Sequence, residues 1–248
     1  MKISIITAVY NNANFVADAV HSVQTQTWSD VEHIVIDGAS TDDTMKVLDA
    51  CLDDRMVLIS EPDDGIYDAL NKGLALATGE IVAFMHSDDF YADPHVLESV
   101  AAAFSDPLVD AVYGDLDYVA KEDTTCIVRH WCSGEYQPVK LKYGWMPPHP
   151  TLFLRRSIIK RWGGFDTNFK IAGDYDVILR YFFQAKIQSF YIQRVLVKMR
   201  LGGESNRSVF KVLLKMHEDY TALRHNRVGG IWTLLNKNFR KINQFWLR

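Results

Sequence analysis

Acidic and amide side chains follow four stretches whose composition favours β-strands, and carboxylates and amides are groups that bind cations or move protons. The segments are Tyr10-Asn11-Asn12, Asp37 to Asp42, Glu61 to Gly65 and His86-Ser87-Asp88-Asp89; a fifth, Asp174-Tyr175-Asp176, opens an apolar helix. Taken singly, each segment is explained by the preference of Asp and Asn for turns and helix N-termini. Taken together, they place several carboxylates on one rim, where oxygen ligands suit Mg²⁺ or Mn²⁺.

The elements that must position these side chains alternate between strands and helices. Apolar β-rich runs predict strands at 2–9, 32–36, 56–60, 80–85 and 110–113, and helical periodicity predicts helices at 13–24, 44–52 and 66–77. This alternation indicates an α/β fold with a mainly parallel central sheet flanked by helices. In such sheets ligands bind beyond the carboxyl ends of the strands, which is where the acidic segments lie.

The composition excludes several classes of protein. The 248 residues are 48% hydrophobic and 23% charged with a net charge of −4, so the chain is neither disordered nor a polycation built for nucleic acid. Its three cysteines lack metal-ligand spacing and favour a reduced, cytoplasmic protein. The apolar run after Lys2 is too short for an export signal, and no run of about 18 apolar residues predicts a membrane span.

Positive charge is concentrated at the C-terminus. From Arg207 to Arg248, nine Lys and Arg stand against two acids, so this segment carries +7 and the remaining chain −11. Aromatic residues accompany these cations, among them Phe210, Trp232, Phe239, Phe245 and Trp246. A basic amphipathic tail favours contact with an anionic membrane, and packing on the domain or in a homodimer is the alternative. We therefore divide the chain into a domain, 1–205, and a helical tail, 206–248.

A series of ordered motifs carries a resemblance to a known family. The motifs are Ser4 to Asn11, Asp37 to Thr44, Glu61 to Gly73, His86 to Asp89, Pro148 to Thr151 and Gly163 to Asp166. Over roughly residues 2–205 the chain resembles the inverting family 2 glycosyltransferases, which have the nucleotide-diphospho-sugar transferase (GT-A) fold. It is most similar to the bacterial members that build O-antigen, capsule and exopolysaccharide units. The glycine-rich dinucleotide and phosphate-loop fingerprints are both absent.

The resemblance implies roles on the donor side of the reaction. Thr7 and Tyr10 would line the base and ribose pocket, and Asp37 would bond the base or ribose. The remaining donor-side residues would be Asp64 and Lys72 near the nucleotide, Asp88 on the sugar-nucleotide, and Asp89 on the Mn²⁺ or Mg²⁺ that binds the diphosphate.

The resemblance also assigns Asp174 as the general base and places His149 near the acceptor or diphosphate. Tyr175 is a candidate to stack on a sugar or to pack, and Arg200 is a candidate to face the diphosphate. Asp176 is a rival base, but Asp174 holds the motif position at the mouth of its helix.

Two positions depart from the family pattern. His86 stands where Asn is expected, and Gly173 stands where many members have Glu directly before the base.

The chemistry independently requires these residue types. Displacement of a nucleoside diphosphate from an anomeric carbon develops negative charge that a bound cation stabilises, and the attacking hydroxyl needs a base. The resemblance implies inversion, UDP as the preferred donor nucleotide with GDP and dTDP left open, and a glycan or polyprenyl-diphosphate-linked acceptor. It places the protein in the cytoplasm or on the cytoplasmic face of the inner membrane.

Two other functions remain open. A catalytically inactive nucleotide-sugar-binding scaffold is disfavoured by the intact Asp88, Asp89 and Asp174. A sugar-nucleotide pyrophosphorylase needs a glycine-rich, basic opening after its first strand, where this chain has Tyr10-Asn11-Asn12.

Overall fold

The N-terminal half forms the parallel part of a nine-stranded sheet in a computed structural model that describes residues 1–202 and 209–243. Four strands pair in parallel in the order β3-β2-β1-β4: β1 (Ile3–Val9), β2 (Val31–Asp37), β3 (Met56–Ser60) and β4 (Ile81–Phe84). Strands β1, β2 and β4 are buried almost throughout, as strands covered on both faces must be. The strands predicted at 2–9, 32–36, 56–60 and 80–85 are confirmed, with ends shifted by at most one residue.

Three helices connect these strands: α1 (Val16–Gln24), α2 (Thr44–Ala50) and α3 (Ile66–Leu76). Each buries one apolar stripe, which is the periodicity that predicted it. The helix predicted from residue 13 begins at Val16, because residues 13–15 form a turn after β1. The carboxyl ends of β1 and β4 and the start of α3 therefore meet at one edge of the sheet.

The second half of the sheet is mixed. It contains β5 (Phe90–Tyr91), β6 (Ala111–Val119), β7 (Ile127–Trp131), β8 (Phe153–Arg155) and β9 (Ser189–Arg200). Strand β8 lies between β4 and β6 and is antiparallel to both. Strand β6 runs parallel to β9. Strand β5 pairs antiparallel with β9, and β7 pairs antiparallel with β6. The expected parallel arrangement thus holds for β3-β2-β1-β4 and not for the whole sheet, because β8 pairs antiparallel with both β4 and β6.

Two apolar layers cover the sheet. The remaining helices are α4 (Val96–Ala103), α5 (Pro138–Leu141), α6 (Arg156–Trp162), α7 (Gly173–Leu179), α8 (Val209–His225) and α9 (Ile231–Asn243). Helices α1 and α4 contribute to one layer, and α3, α6 and α7 contribute to the other. The second layer also contains Ala222, Leu223, Val228 and Leu234 from the C-terminal segment.

The described part of the C-terminal segment packs closely on the rest of the chain. Lys237 and Asp219 form a buried ion pair at 2.6 Å. Gly144, at a φ of 75°, lies so close to α9 that a Cβ there would be 2.5 Å from the backbone of Lys237. Residues 203–208, where the sequence places the domain boundary, and residues 244–248, with Phe245 and Trp246, lie outside the described residues. None of the helices within 1–202 and 209–243 is both long and apolar enough to cross a bilayer.

Candidate active site

A cleft of about 520 Å³ opens at the carboxyl ends of β1 and β4. Its walls come from the exits of these two strands, the turn before α3, and the end of β9. The polar side chains that line it are those of Tyr10, Asn11, Asn12, Asp63, His86, Ser87, Asp88, Lys121 and Arg200. The cleft lies at the rim where the sequence predicts ligand binding.

The loop after β1 is fastened to the neighbouring strand ends by two asparagines. Asn11 adopts a φ of 47°, a conformation that Asn tolerates better than most residues, and its Oδ1 accepts the backbone N–H of Thr41 at 2.8 Å. Asn12 donates from Nδ2 to Oγ of Ser87 at 2.8 Å. Tyr10 is thereby held at the cleft with 62% of its surface exposed, as the prediction of a base- or ribose-binding role requires.

The two adjacent acids after β4 have different environments. Asp88 lines the cleft, whereas Asp89 is fully buried. Oδ1 of Asp89 accepts the backbone N–H of Arg200 at 3.2 Å, but its Oδ2 has no partner among the described residues. Burial, together with the charge of Asp88, raises the pKa of Asp89 well above its usual range, against the opposing effect of Arg200. An unpaired buried carboxylate oxygen is costly, so a cation would stabilise this arrangement.

The two acids fit a divalent cation whose coordination is completed by substrate. Within the described residues there is no cluster of three or more His, Cys, Asp or Glu side chains that could hold a metal by itself. Mg²⁺ is commonly bound by one or two carboxylates together with substrate phosphates and water. Asp88 and Asp89 would supply those carboxylates, and the diphosphate would supply further oxygens.

Two cations face the same cleft. Arg200, at the end of β9, is 6% exposed; its guanidinium donates to the carbonyl oxygen of Asp88 at 2.8 Å and forms an ion pair with Asp18. The Lys121 ammonium lies 4.9 Å from the ring centre of Phe15, which Arg200 also contacts at 5.0 Å. Sequence reasoning identified Arg200 and missed Lys121. It predicted a strand only at 110–113, whereas β6 continues to Val119 and so brings the following residues to the cleft. The positive charge favours an anionic ligand such as a diphosphate.

His149 lies between the cleft wall and the helix that carries Asp174. Its ring stacks on Phe84 with centroids 5.5 Å apart and lies 5.6 Å from the ring of His86, which lines the cleft. Burial lowers the pKa of His149 to about 4, although the charge of Asp174 opposes this shift. His149 is therefore neutral near pH 7. The departure at His86 has a structural consequence, since its ring packs on that of His149.

Asp174 and Asp176 differ in their hydrogen bonding. Asp176 is buried, and its two oxygens accept bonds from Asn226 at 2.7 Å and Arg180 at 2.9 Å. The half-buried carboxylate of Asp174 accepts no hydrogen bond from any described residue. A general base needs an oxygen free to accept a proton, so the geometry favours Asp174.

The segment before Asp174 is held by the C-terminal helix α8. Glu218, which is 6% exposed, accepts the backbone N–H groups of residues 170, 171 and 172 at 2.9, 2.8 and 2.8 Å. On the other side, the hydroxyl of Tyr67 donates to the carbonyl oxygen of Ile171 at 2.7 Å. Sequence reasoning missed Glu218, because nothing in its local sequence connects it to a loop 46 residues away.

The glycine before Asp174 is explained by Tyr67. A Cβ at Gly173 would lie 2.8 Å from a carbon of the Tyr67 ring, closer than real contacts allow. The ring thus occupies the space that a side chain at position 173 would need.

Several predicted residues do not line the cleft. Thr7 is buried against His33 at 3.0 Å, and the buried carboxylate of Asp37 is bonded by Ser40 and Ser60. Their positions at the ends of β1 and β2 make them supports for the rim, and a nucleotide contact by either stays a prediction.

The turn before α3 places Asp63, the neighbour of the predicted Asp64, in the lining of the cleft, and a nucleotide contact by Asp64 stays a prediction. Asp63 lines the cleft, whereas Asp64 is exposed outside its lining. Lys72 also lies outside the lining: its ammonium donates to the carbonyl oxygen of Pro62 at 2.7 Å and pairs with Glu61 at 2.9 Å. Lys72 therefore holds this turn in place.

Tyr175 is 1% exposed, with the Lys237 ammonium 3.2 Å from its ring centre. This arrangement corresponds to the packing alternative. It does not support a contact between Tyr175 and a sugar or diphosphate.

The parallel half-sheet, the paired acids at its rim and a cleft lined by both acids and cations are the features that the resemblance to glycosyltransferases predicts. A family model described as "Glycosyl transferase family 2" matches residues 4–163, and the chain belongs to this family. An uncharacterized glycosyltransferase of Mycobacterium tuberculosis is 32% identical over 194 residues, which cover 72% of this chain and 68% of the relative. A PGL/p-HBAD biosynthesis glycosyltransferase of Mycobacterium bovis is 30% identical over 217 residues, 86% of this chain and 82% of the relative.

Solved structures share the fold. S. aureus TarS 1–349 in complex with UDP-GlcNAc superimposes with a TM-score of 0.70 at 20% identity, covering 92% of this chain and 66% of that one. The chain thus spans about two thirds of that TarS fragment. The mannosyltransferase PcManGT from Pyrobaculum calidifontis, in complex with GDP-Man and Mn²⁺, gives a TM-score of 0.63 at 18% identity, covering 100% of this chain and 76% of that one. These matches confirm the predicted GT-A fold.

Proposed function

We propose that this chain transfers a sugar from a nucleotide-diphospho-sugar to a hydroxyl group of a glycan or a polyprenyl-diphosphate-linked acceptor, with inversion at the anomeric carbon. The observation that carries the proposal is that His86, in the wall of the cleft, lies beside His149, whose pKa the nearby charge of Asp174 raises against the larger effect of burial, and that the Asp174 carboxylate accepts no hydrogen bond from any described residue. The nucleotide is proposed to be UDP. The UDP-GlcNAc bound by TarS supports this choice, and the GDP-Man bound by PcManGT makes GDP the comparison.

The donor would bind with its diphosphate between Asp88 and the two cations. Lys121 and Arg200 offset the charge of the diphosphate, and the exposed ring of Tyr10 covers the nucleoside. The buried Arg200 is fixed by its bonds to Asp18 and to the Asp88 carbonyl, so little side-chain freedom is lost when the donor binds.

Mn²⁺ or Mg²⁺ would be held by Asp89, with Asp88 beside it. When bound, the cation would neutralise negative charge on the departing nucleoside diphosphate. The unpaired Oδ2 of Asp89 supports this assignment. The complex of PcManGT with Mn²⁺ supports the choice of ion.

Asp174 would accept the proton of the acceptor hydroxyl as its oxygen attacks the anomeric carbon. The new bond joins that oxygen to the anomeric carbon, the bond from this carbon to the diphosphate oxygen breaks, and the leaving group departs with its electron pair. A single in-line displacement of this kind inverts the configuration. The loop 142–148, which Gly144 fixes against α9, is proposed as a wall of the acceptor site.

The proposed role lies in cell-surface polysaccharide or glycolipid synthesis, such as that of O-antigen, on the cytoplasmic side of the membrane. The relative named as a PGL/p-HBAD biosynthesis glycosyltransferase supports a role in a biosynthetic pathway. Contact with the membrane surface and formation of a homodimer are separate proposals; the first is developed below.

Donor binding tests the first half of this proposal. Thermal unfolding is measured with UDP, GDP and dTDP, each with and without Mn²⁺. A nucleotide at 100 times its Kd stabilises by about 2.7 kcal/mol, which is roughly 5–10 °C for a chain of this size. We expect UDP to raise the unfolding temperature of the parent in a Mn²⁺-dependent way. The control Asp49→Asn, at an exposed position, should show the same rise, and Asp89→Asn should lose it.

Turnover tests the second half. Release of UDP from UDP-sugar is followed in the presence of a lipid-linked sugar acceptor. Asp174→Asn should keep the UDP shift and lose about 10²–10⁴ in turnover, since its amide cannot accept the proton. Full turnover in Asp174→Asn would contradict the assignment of the base. Donor binding by the parent without turnover on any sugar donor or acceptor would favour the scaffold function instead.

A further inference from the structure

The inner face of the C-terminal helices carries all of their acidic charge. Between Val209 and Asn243 the sequence has two acids, Glu218 and Asp219, and both are buried. Glu218 is bonded to three backbone N–H groups before α7, and Asp219 is paired with the buried Lys237. The surface that these helices present to solvent therefore has no carboxylate of its own.

The outer face of α8 is apolar. Phe210 is 75% exposed and Leu213 61%, and Tyr220 is exposed further along the same face. Residues three, four and seven apart lie on one side of a helix, so these side chains form a single row. A core-facing stripe would be buried, but this one faces solvent.

Helix α9 repeats the arrangement. Its exposed apolar residues are Ile231, Trp232, Leu235 and Phe239, and Trp232 is 77% exposed. Their spacing places them on one side of the helix, opposite Thr233, Leu234 and Lys237, which are buried against the domain. Trp and Phe in such a position are typical of helices that lie in a membrane interface.

Exposed cations lie beside the apolar row of α8. Arg224 is exposed on the apolar side of α8, and Arg227 is exposed in the turn that follows. The outer surface thus combines large apolar side chains with positive charge and lacks negative charge, which complements the anionic headgroups of a bilayer.

We propose that the outer face of α8 and α9 binds the surface of an anionic lipid bilayer. A second copy of the chain is a poorer occupant, because symmetric pairing of these faces would bring their cations together. The proposal of lipid binding is argued only from the residues of this surface. Its connection with a lipid-linked acceptor rests on the proposed function. Because α8 also holds the segment before Asp174, binding would place the base at a fixed height above the lipid.

Cosedimentation of the full chain with vesicles tests the proposal. We compare phosphatidylcholine vesicles with vesicles that contain 30% phosphatidylglycerol, at 50 mM and 500 mM salt. Binding should occur on the anionic vesicles and fall steeply at the higher salt. The double variant Trp232→Gln/Phe239→Gln should bind at least tenfold more weakly, since both exposed rings are lost. The matched control Leu108→Gln, which removes a 73% exposed side chain outside these helices, should bind within twofold of the parent.

The charge requirement is tested with Arg224→Gln/Arg227→Gln. Each cation near an anionic surface strengthens binding about fivefold, so this variant should bind roughly 25-fold more weakly. The variants are shown to be folded if their unfolding temperatures, with and without UDP, equal those of the parent. This control keeps the test of lipid binding separate from the test of the donor site.

Three outcomes would overturn the proposal. They are the absence of binding by the folded parent, equal binding to neutral and anionic vesicles, and equal binding by the parent and the Trp232→Gln/Phe239→Gln variant. A dimer in sedimentation velocity that this variant abolishes, together with no vesicle binding, would identify a second copy as the occupant.

Discussion

Replacement of Glu218 by Gln is expected to slow sugar transfer without weakening donor binding. Glu218 lies on α8, outside the cleft, and touches the site through the backbone of residues 170–172. These residues lead directly into α7, whose second residue is Asp174. Their displacement would move the base away from the acceptor hydroxyl and leave Asp88, Lys121 and Arg200 in place.

The magnitude follows from the hydrogen bonds. Oε2 of Glu218 accepts two N–H groups and Oε1 accepts one. Gln keeps one oxygen and turns an NH₂ group towards the remaining backbone donor. Because a hydrogen bond to a charged group contributes about 1.5–3 kcal/mol net, the free energy of unfolding should fall by about 3 kcal/mol. For this chain length the unfolding temperature should fall by roughly 6–12 °C. A misplacement of the base on the scale of 1 Å lowers kcat by up to about 100-fold.

The assay measures kcat at 20 °C, per mole of enzyme that binds UDP, so that unfolded protein does not count. We expect kcat of Glu218→Gln to fall 10- to 100-fold with an unchanged KM for the donor. The control Glu80→Gln, at an exposed position, should match the parent in both unfolding temperature and kcat. A lower unfolding temperature with unchanged kcat would refute the positioning role and leave Glu218 as a purely structural residue. An unchanged unfolding temperature would refute the energetic argument itself.

Two further predictions concern the cleft and the buried histidines. In isothermal titration calorimetry, Asp63→Ala should weaken UDP binding about tenfold and Asp64→Ala by less than twofold, since only Asp63 lines the cleft. A larger loss of affinity in Asp64→Ala than in Asp63→Ala would instead support the nucleotide-binding role that the sequence assigned to Asp64. Burial lowers the pKa of both His33 and His149 to about 4, so below the unfolded value of about 6.5 the unfolded chain binds protons that the native chain excludes. Each histidine should therefore lower the free energy of unfolding, measured with urea, by about 2 kcal/mol between pH 7.5 and pH 5.0. Over the same interval the free energy of unfolding of His33→Gln should fall by about 2 kcal/mol less than that of the parent. An equal fall in the two proteins would contradict the burial argument.

The parallel half of the sheet could be predicted because each of its elements is specified locally. Strands β1 to β4 are short apolar runs bounded by turn residues, and α1 to α3 show helical periodicity. Strands β8 and β9 could not be placed in the same way. Which neighbours a strand pairs with depends on contacts far apart in the sequence, such as that of β8 with both β4 and β6. The mixed character of the sheet follows from those contacts.

By itself the sequence determined the family motifs, the rim at which the acids gather, the acidic pair after β4 and the basic, aromatic character of the C-terminus. These features depend on residue type and on order along the chain. Only the tertiary structure decided which member of each acidic group lines the cleft or is left without a hydrogen bond from the described residues. Asp63 lines the cleft and Asp64 does not, and Asp176 is bonded by Asn226 while Asp174 is left unbonded by the described residues. It also brought Glu218 to the loop before Asp174 and turned the outer rows of α8 and α9 to solvent. The physical reason is that burial and hydrogen-bond partners are supplied by distant segments, whereas periodicity reports only the neighbours along the chain.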